Sequence, residues 1–187
     1  MKIQKNKGFT LIELMIAVSI LSIIMMVGVP SFSSSINKNS VAATVNDIQT
    51  SLNQARSEAV TRGVTVTVCS SNNQVSCSGG WDDGWIVFSD IDADNVVDGG
   101  ADLILSVFDA PASDSDLRLS ALDSSMIQYF NNGYSNQTGT FIGCPPDKNI
   151  AYSRGVIVSA SGMIRKSRDG DGDGTHEDST GTDFSCP

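Results

Sequence analysis

The sequence predicts an α+β protein in which one long N-terminal helix packs on a β-rich head. Three observations predict it. An apolar run of about 21 residues, Phe9 to Val29, carries a single charge, Glu13. Val41, Val45, Ile48, Leu52, Ala55 and Ala59 then recur at steps of four and three, the period of one helix face. Beyond Gly63 the texture changes to short β-like runs separated by turn formers.

A helix over Phe9 to Val29 rises 1.5 Å per residue and spans roughly 30 Å, enough to cross a bilayer. Lys2, Lys5 and Lys7 crowd its front, so the positive-inside rule leaves the N-terminus in the cytoplasm and sends the body across. A secretory signal peptide shares the basic start, but its apolar core is shorter and ends at a small-residue cleavage site. Here the run continues to Val29 and meets Pro30. Pro30 lacks an amide donor and clashes with the preceding turn, which predicts a kink or joint. The helical face resumes at Val41; Arg56, Glu58 and Arg62 project away from it, and Gly63 supplies the stop.

The β-like runs are residues 64–69, 85–90, 103–108, 117–122, 126–130 and 155–166. A chain of 187 residues has room for one body of this kind plus a terminal extension. The net charge is -9, and the three leading lysines partly mask a more acidic body. Such a surface disfavours non-specific attraction to nucleic acid, although a local basic patch could still act. Four cysteines form an even set without a CxxC pair or a His/Cys cluster, which favours disulfides in an oxidising compartment over zinc. Of three connectivities, Cys69–Cys77 with Cys144–Cys186 is the local solution; the first closes a hairpin loop and the second pins the C-terminal tail.

The stretch "KGFTLIELMIAV", Lys7 to Val18, resembles the class III signal of type IV prepilins and type II secretion pseudopilins. The resemblance implies a prepilin peptidase that cuts after Gly8 and methylates the new N-terminus at Phe9. It implies an assembly role for the carboxylate of Glu13, and it matches Pro30 to a helix-bending proline. The segments expected are a leader at 1–8, a transmembrane and assembly helix at 9–29, its amphipathic continuation at 30–62 and a head at 63–187. Physical reasoning agrees: a carboxylate in hydrocarbon costs a few kcal/mol or more and faces a partner, here the positive amine of a neighbouring subunit. The competing reading has Glu13 snorkel to the interface one turn into the mature chain. Further on, "SLNQARSEAVTRGVTVTVCSSN", "GGWDDGWIVFSDIDADNVVD" and "LILSVF", together residues 51–108, resemble the head of H-type pseudopilins and FimT- and FimU-type minor pilins.

Two acidic stretches invite a calcium reading. Asp90, Asp92, Asp94, Asp98 and Asp102 alternate, but Asn95 stands where a turn glycine belongs and no glutamate closes the loop, so a solvated hairpin loop is the expectation. "RDGDGDG", with Asp169, Asp171 and Asp173, is the better calcium candidate because its glycines permit tight turns; it lacks a closing glutamate at Thr180, and a flexible acidic tail competes. Enzymatic chemistry finds little support, since the sole histidine, His176, lies in that tail and nothing marks a cleft. Arg165, Lys166 and Arg168 partly resemble a basic DNA-binding motif of some FimT-type pilins, with Met163 where the motif has arginine. Three charges would give weak, salt-sensitive binding, and a strand end paired with its own acidic tail competes with it.

The sequence therefore predicts a minor pilin of a type IV pilus, held in the bacterial inner membrane with its head in the periplasm and then built into the fibre. Expected partners are other major and minor pilins, prepilin peptidase and the inner membrane. DNA is the weaker candidate, and neither a cofactor nor a small-molecule substrate is expected. An H-type pseudopilin of a type II secretion system is the alternative.

Overall fold

The computed structural model describes residues 8–100, 102–111, 116–120 and 125–186, without the side chains of 27–31 and 116–120. The chain forms two compact units, one ending at Ile36 and one beginning at Asn37. A single helix, α1 (Leu11–Arg62), contributes to both.

In the first unit the helix from Leu11 to Met26 is apolar apart from Glu13, Ser19 and Ser22. Every side chain from Leu11 to Met26 is exposed. The two hydroxyls in this stretch turn inward on the backbone, Ser19 Oγ donating to the Met15 carbonyl and Ser22 Oγ to that of Val18, each at 2.8 Å. Satisfied in this way, they do not penalise an apolar surrounding. The bend expected at Pro30 lies outside the described residues.

In the second unit Val41, Val45, Ile48, Leu52, Ala55 and Ala59 form the buried face that their spacing predicts. Gly63 ends the helix at φ +73°, a conformation that a β-carbon disfavours. The face packs with two antiparallel four-stranded sheets around one core. The first comprises β1 (Thr65–Ser70), β2 (Gly84–Asp90), β3 (Leu103–Asp109) and β5 (Met126–Tyr129), in the order β3-β2-β1-β5. The second comprises β4 (Asp116–Ser120), β6 (Gly139–Cys144), β7 (Arg154–Val158) and β8 (Ile164–Lys166), in the order β4-β6-β7-β8. Ile48 and Leu52 are fully buried and each contributes roughly 1.5–3 kcal/mol through burial. The largest core side chain, Trp85, donates its Nε1 proton to Ser51 Oγ on α1 at 3.0 Å, so burial leaves the indole satisfied.

Three sequence expectations change here. Residues 139–144 were not expected as a strand, yet β6 is buried along its whole length and pairs with both β4 and β7. Its Gly143 lets α1 approach, since a β-carbon there would lie 3.0 Å from Val45 and 3.3 Å from Val41. The run 155–166 is two strands, because Gly162 N–H bonds to the Ser159 carbonyl and closes a turn in which a β-carbon would strike the Gly133 carbonyl. Arg56 does not project away: its guanidinium donates to the carbonyls of Gly133 at 3.0 Å and Ser161 at 3.3 Å, tying α1 to two loops. Glu58 and Arg62 do stay on the surface, as an i,i+4 ion pair.

The acidic tail is ordered. Cys69 is bonded to Cys77, and Cys144, at the end of β6, to Cys186. Phe184 is buried with Ile142 and Cys144, and its N–H bonds to the His176 carbonyl at 3.0 Å. One apolar ring and one disulfide hold the tail against β6, where a flexible segment was the competing expectation.

Candidate functional site

The N-terminal segment supplies the first candidate. Gly8 precedes the helix, and a β-carbon built on it would meet nothing within 4 Å, so this chain's own fold does not demand a glycine there. Phe9 is 88% exposed. Thr10 then caps α1: its Oγ1 accepts from Glu13 N–H at 3.3 Å, while Glu13 Oε2 accepts from Thr10 N–H at 3.0 Å and from the Thr10 hydroxyl at 3.1 Å. This is a reciprocal capping box, and an acid in the first turn also complements the helix dipole. Sequence reasoning weighed Glu13 only as a charge in oil; the T-x-x-E spacing of Thr10 and Glu13 was the signal for a second role. Among the described residues, no helix is long and apolar enough to cross a membrane. The expected span to Val29 runs into residues 27–29, whose side chains lie outside that description, as do Lys2, Lys5 and Lys7.

The acidic residues gather in two places. At the β2–β3 connection, carboxylate oxygens of Asp90, Asp92, Asp94 and Asp102 all lie within 4.8 Å of one another. Asp90 ends β2 and is fully buried, which departs from a solvated loop. Asp98 stands beside this group. Desolvation, followed by the charges of Asp102, Asp92, Asp94 and Asp90, raises its carboxyl above the ordinary range. In the tail the grouping is Asp169, Asp171 and Glu177; Glu177 takes the place in which Asp173 was expected, and sequence reasoning missed it. Backbone amides occupy these acids: Gly172 and Gly174 donate to Asp169, and Gly170 to both oxygens of Glu177. They shape the tail's turns.

The three basic residues are not gathered on one face. Lys166 donates to Asn46 Oδ1 of α1 at 2.7 Å, whereas Arg165 and Arg168 line a crevice with Glu177 and Asp178. His176 bonds through Nδ1 to Ser167 Oγ at 2.8 Å. That serine is buried, and its oxygen also accepts from Gly155 N–H, so the pair anchors the tail; both side chains also line a crevice beside Asn46 and Lys166.

A long helix, apolar in its first stretch and packed through residues 41–59 on two antiparallel sheets, defines a pilin-like α+β protein. Residues 44–162 match the family described as type II transport protein GspH, and the chain belongs to that family. Residues 3–29 match the prokaryotic N-terminal methylation motif. Two crystal structures of the type IV minor pilin FimU from Pseudomonas aeruginosa strain PAO1 share the fold. One is 18% identical, with a TM-score of 0.55 over 68% of this chain and 87% of that one. The other is 17% identical, with a TM-score of 0.53 over 68% and 92%. No curated protein matches the sequence. The pilin family and fold are structural, and assembly with other pilins is what they imply.

Proposed function

We propose that this chain is a minor pilin subunit of a type IV pilus, anchored in the inner membrane and assembled into the fibre through its N-terminal helix. The observation that carries the reading is the helix surface from Leu11 to Met26. Apart from Glu13, Ser19 and Ser22 it is apolar, and it buries nothing in its own unit, so lipid or other apolar helices are its natural cover. Prepilin peptidase would cut between Gly8 and Phe9 and methylate Phe9, a bond that stands before the apolar helix; removal of the leader therefore keeps the anchor. Glu13 then carries the one charge in the packing surface, and the new amine of a neighbouring subunit is its complement. The same face serves first in lipid and afterwards among pilin helices.

An intact mass of the protein purified from its native membrane tests this directly. A chain beginning at N-methylated Phe9 with two disulfides is expected, and a chain that keeps Met1 would overturn the reading.

The GspH family match favours one second reading, an H-type pseudopilin of a type II secretion system. Deleting the gene separates the two. Loss of pili with secretion intact supports the minor pilin, and the reverse supports the pseudopilin. A DNA-uptake role rests on Arg165, Lys166 and Arg168 alone. The position of Glu177 and Asp178 beside the two arginines works against a polyanion there.

A further inference from the structure

We propose that the connection between β2 and β3 binds one calcium ion through Asp90, Asp92, Asp94 and Asp102. Nothing in this inference depends on the pilin reading.

The acidic cluster alone would be an ordinary solvated loop. What sets it apart is Asp90. Its side chain is 0% exposed; Oδ2 accepts from the Thr67 hydroxyl at 2.9 Å and from Gln128 Nε2 at 3.5 Å, while Oδ1 is shut from solvent with no hydrogen-bond donor. A buried carboxylate oxygen without a partner is costly, and native folds rarely leave one. Among the described residues no lysine or arginine is salt-bridged to any of the four acids. A second oxygen in this connection, Asn95 Oδ1, is likewise buried without a donor. The group thus offers several oxygens, a large negative charge and, among the described residues, no salt-bridged cation.

Geometry selects the ion. Oxygens bound to calcium at 2.3–2.6 Å sit at most roughly 5 Å apart across the ion, and the four carboxylates already meet within 4.8 Å. Magnesium demands shorter bonds and a stricter octahedron, and it keeps its waters. Asp90 is the last residue of β2, and Asp102 immediately precedes β3, so the ion would clamp the two ends of the connection together. Asp92 and Asp94 come from the exposed part of the loop and would close the outer side. Backbone amides bond to acids in both clusters, Ile91 and Asp98 N–H to Asp102 and Val96 N–H to Asp94 in this one; the tail cluster differs in that none of its three acids is buried.

Calorimetric titration of the full chain in detergent, stripped with chelator and then titrated with calcium chloride, tests the proposal. One ion per chain is expected, with a raised thermal midpoint. The double variant Asp92→Asn/Asp94→Asn changes two exposed side chains and should fold normally, a point its circular dichroism verifies. It should bind calcium at least roughly tenfold more weakly and lose the thermal shift. Asp169→Asn/Asp171→Asn should bind as the parent does. No calcium heat with the parent chain would overturn the proposal, as would unchanged affinity in the Asp92/Asp94 variant.

Discussion

Glu13 Oε2 accepts two hydrogen bonds from Thr10, so the one acid of the apolar helix is held by its own chain before any neighbour reaches it. Capping and charge pairing are therefore separable. Glu13→Gln keeps a residue competent for the capping box but removes the charge. It should insert in the membrane normally and fail to enter the fibre, as should Glu13→Ala. Thr10→Ala should cost the helix about 1 kcal/mol while leaving the charge in place, and should still assemble. Immunoblots of membrane and sheared-fibre fractions read both outcomes, and normal incorporation of Glu13→Gln would remove charge pairing from the mechanism.

The two disulfides should differ in weight. Cys144–Cys186 spans a sequence separation of 42 and Cys69–Cys77 one of 8. Loop closure alone assigns about 4 kcal/mol to the longer and about 2.5 kcal/mol to the shorter. Cys144→Ser/Cys186→Ser should lower the urea midpoint more than Cys69→Ser/Cys77→Ser, and it should expose the segment around Phe184 to protease.

Docking of the tail should depend on pH. Burial, and then the charge of Arg154, holds the His176 imidazole below its usual value, against the opposing pull of Ser167, Asp169 and Glu177. The unfolded tail then binds more protons than the folded one. Stability is present in full above the ordinary histidine value of about 6.5 and declines as pH falls from there through the lower folded value. Protection factors for amide exchange in residues 167–186, taken relative to the base-catalysed intrinsic rate at each pH, should be lower at pH 5.5 than at pH 7.5; equal protection factors would argue against this role for His176.

Ser51→Ala removes the acceptor of a buried indole proton. The cost should be about 1–3 kcal/mol, the usual penalty for a stranded donor. A double-mutant cycle with Trp85→Phe, followed by urea unfolding, should show coupling between the two positions; additive effects would sever the link between α1 and β2 that the bond represents.

Much of this fold was legible in the sequence where periodicity carries a one-sided burial. The face from Val41 to Ala59 shows it at the helical period, and the strand after Gly63 begins within a residue of its expected start. Legibility failed where burial is two-sided or the tie is long-range. β6 shows no alternation because it is buried throughout, and Gly139 and Gly143 hide it further. Nothing near Arg56 in sequence announces its acceptors at Gly133 and Ser161. The capping box is readable in the T-x-x-E spacing of Thr10 and Glu13, where one carboxylate serves both as a cap and as a charge. The burial of Asp90 was invisible, since a strand-end aspartate in an acidic run looks the same whether it faces water or the Thr67 hydroxyl.

Neither disulfide includes a residue of α1. In a fibre under tension, covalent crosslinks would preserve the hairpin and the tail, while peeling of the helix from the sheets would be resisted only by side-chain packing and by bonds such as those of Arg56 and Ser51. If the chain is built into a fibre as proposed, the seam between α1 and the sheets would be the mechanical fuse of the subunit. It can open and re-form without breaking a covalent bond.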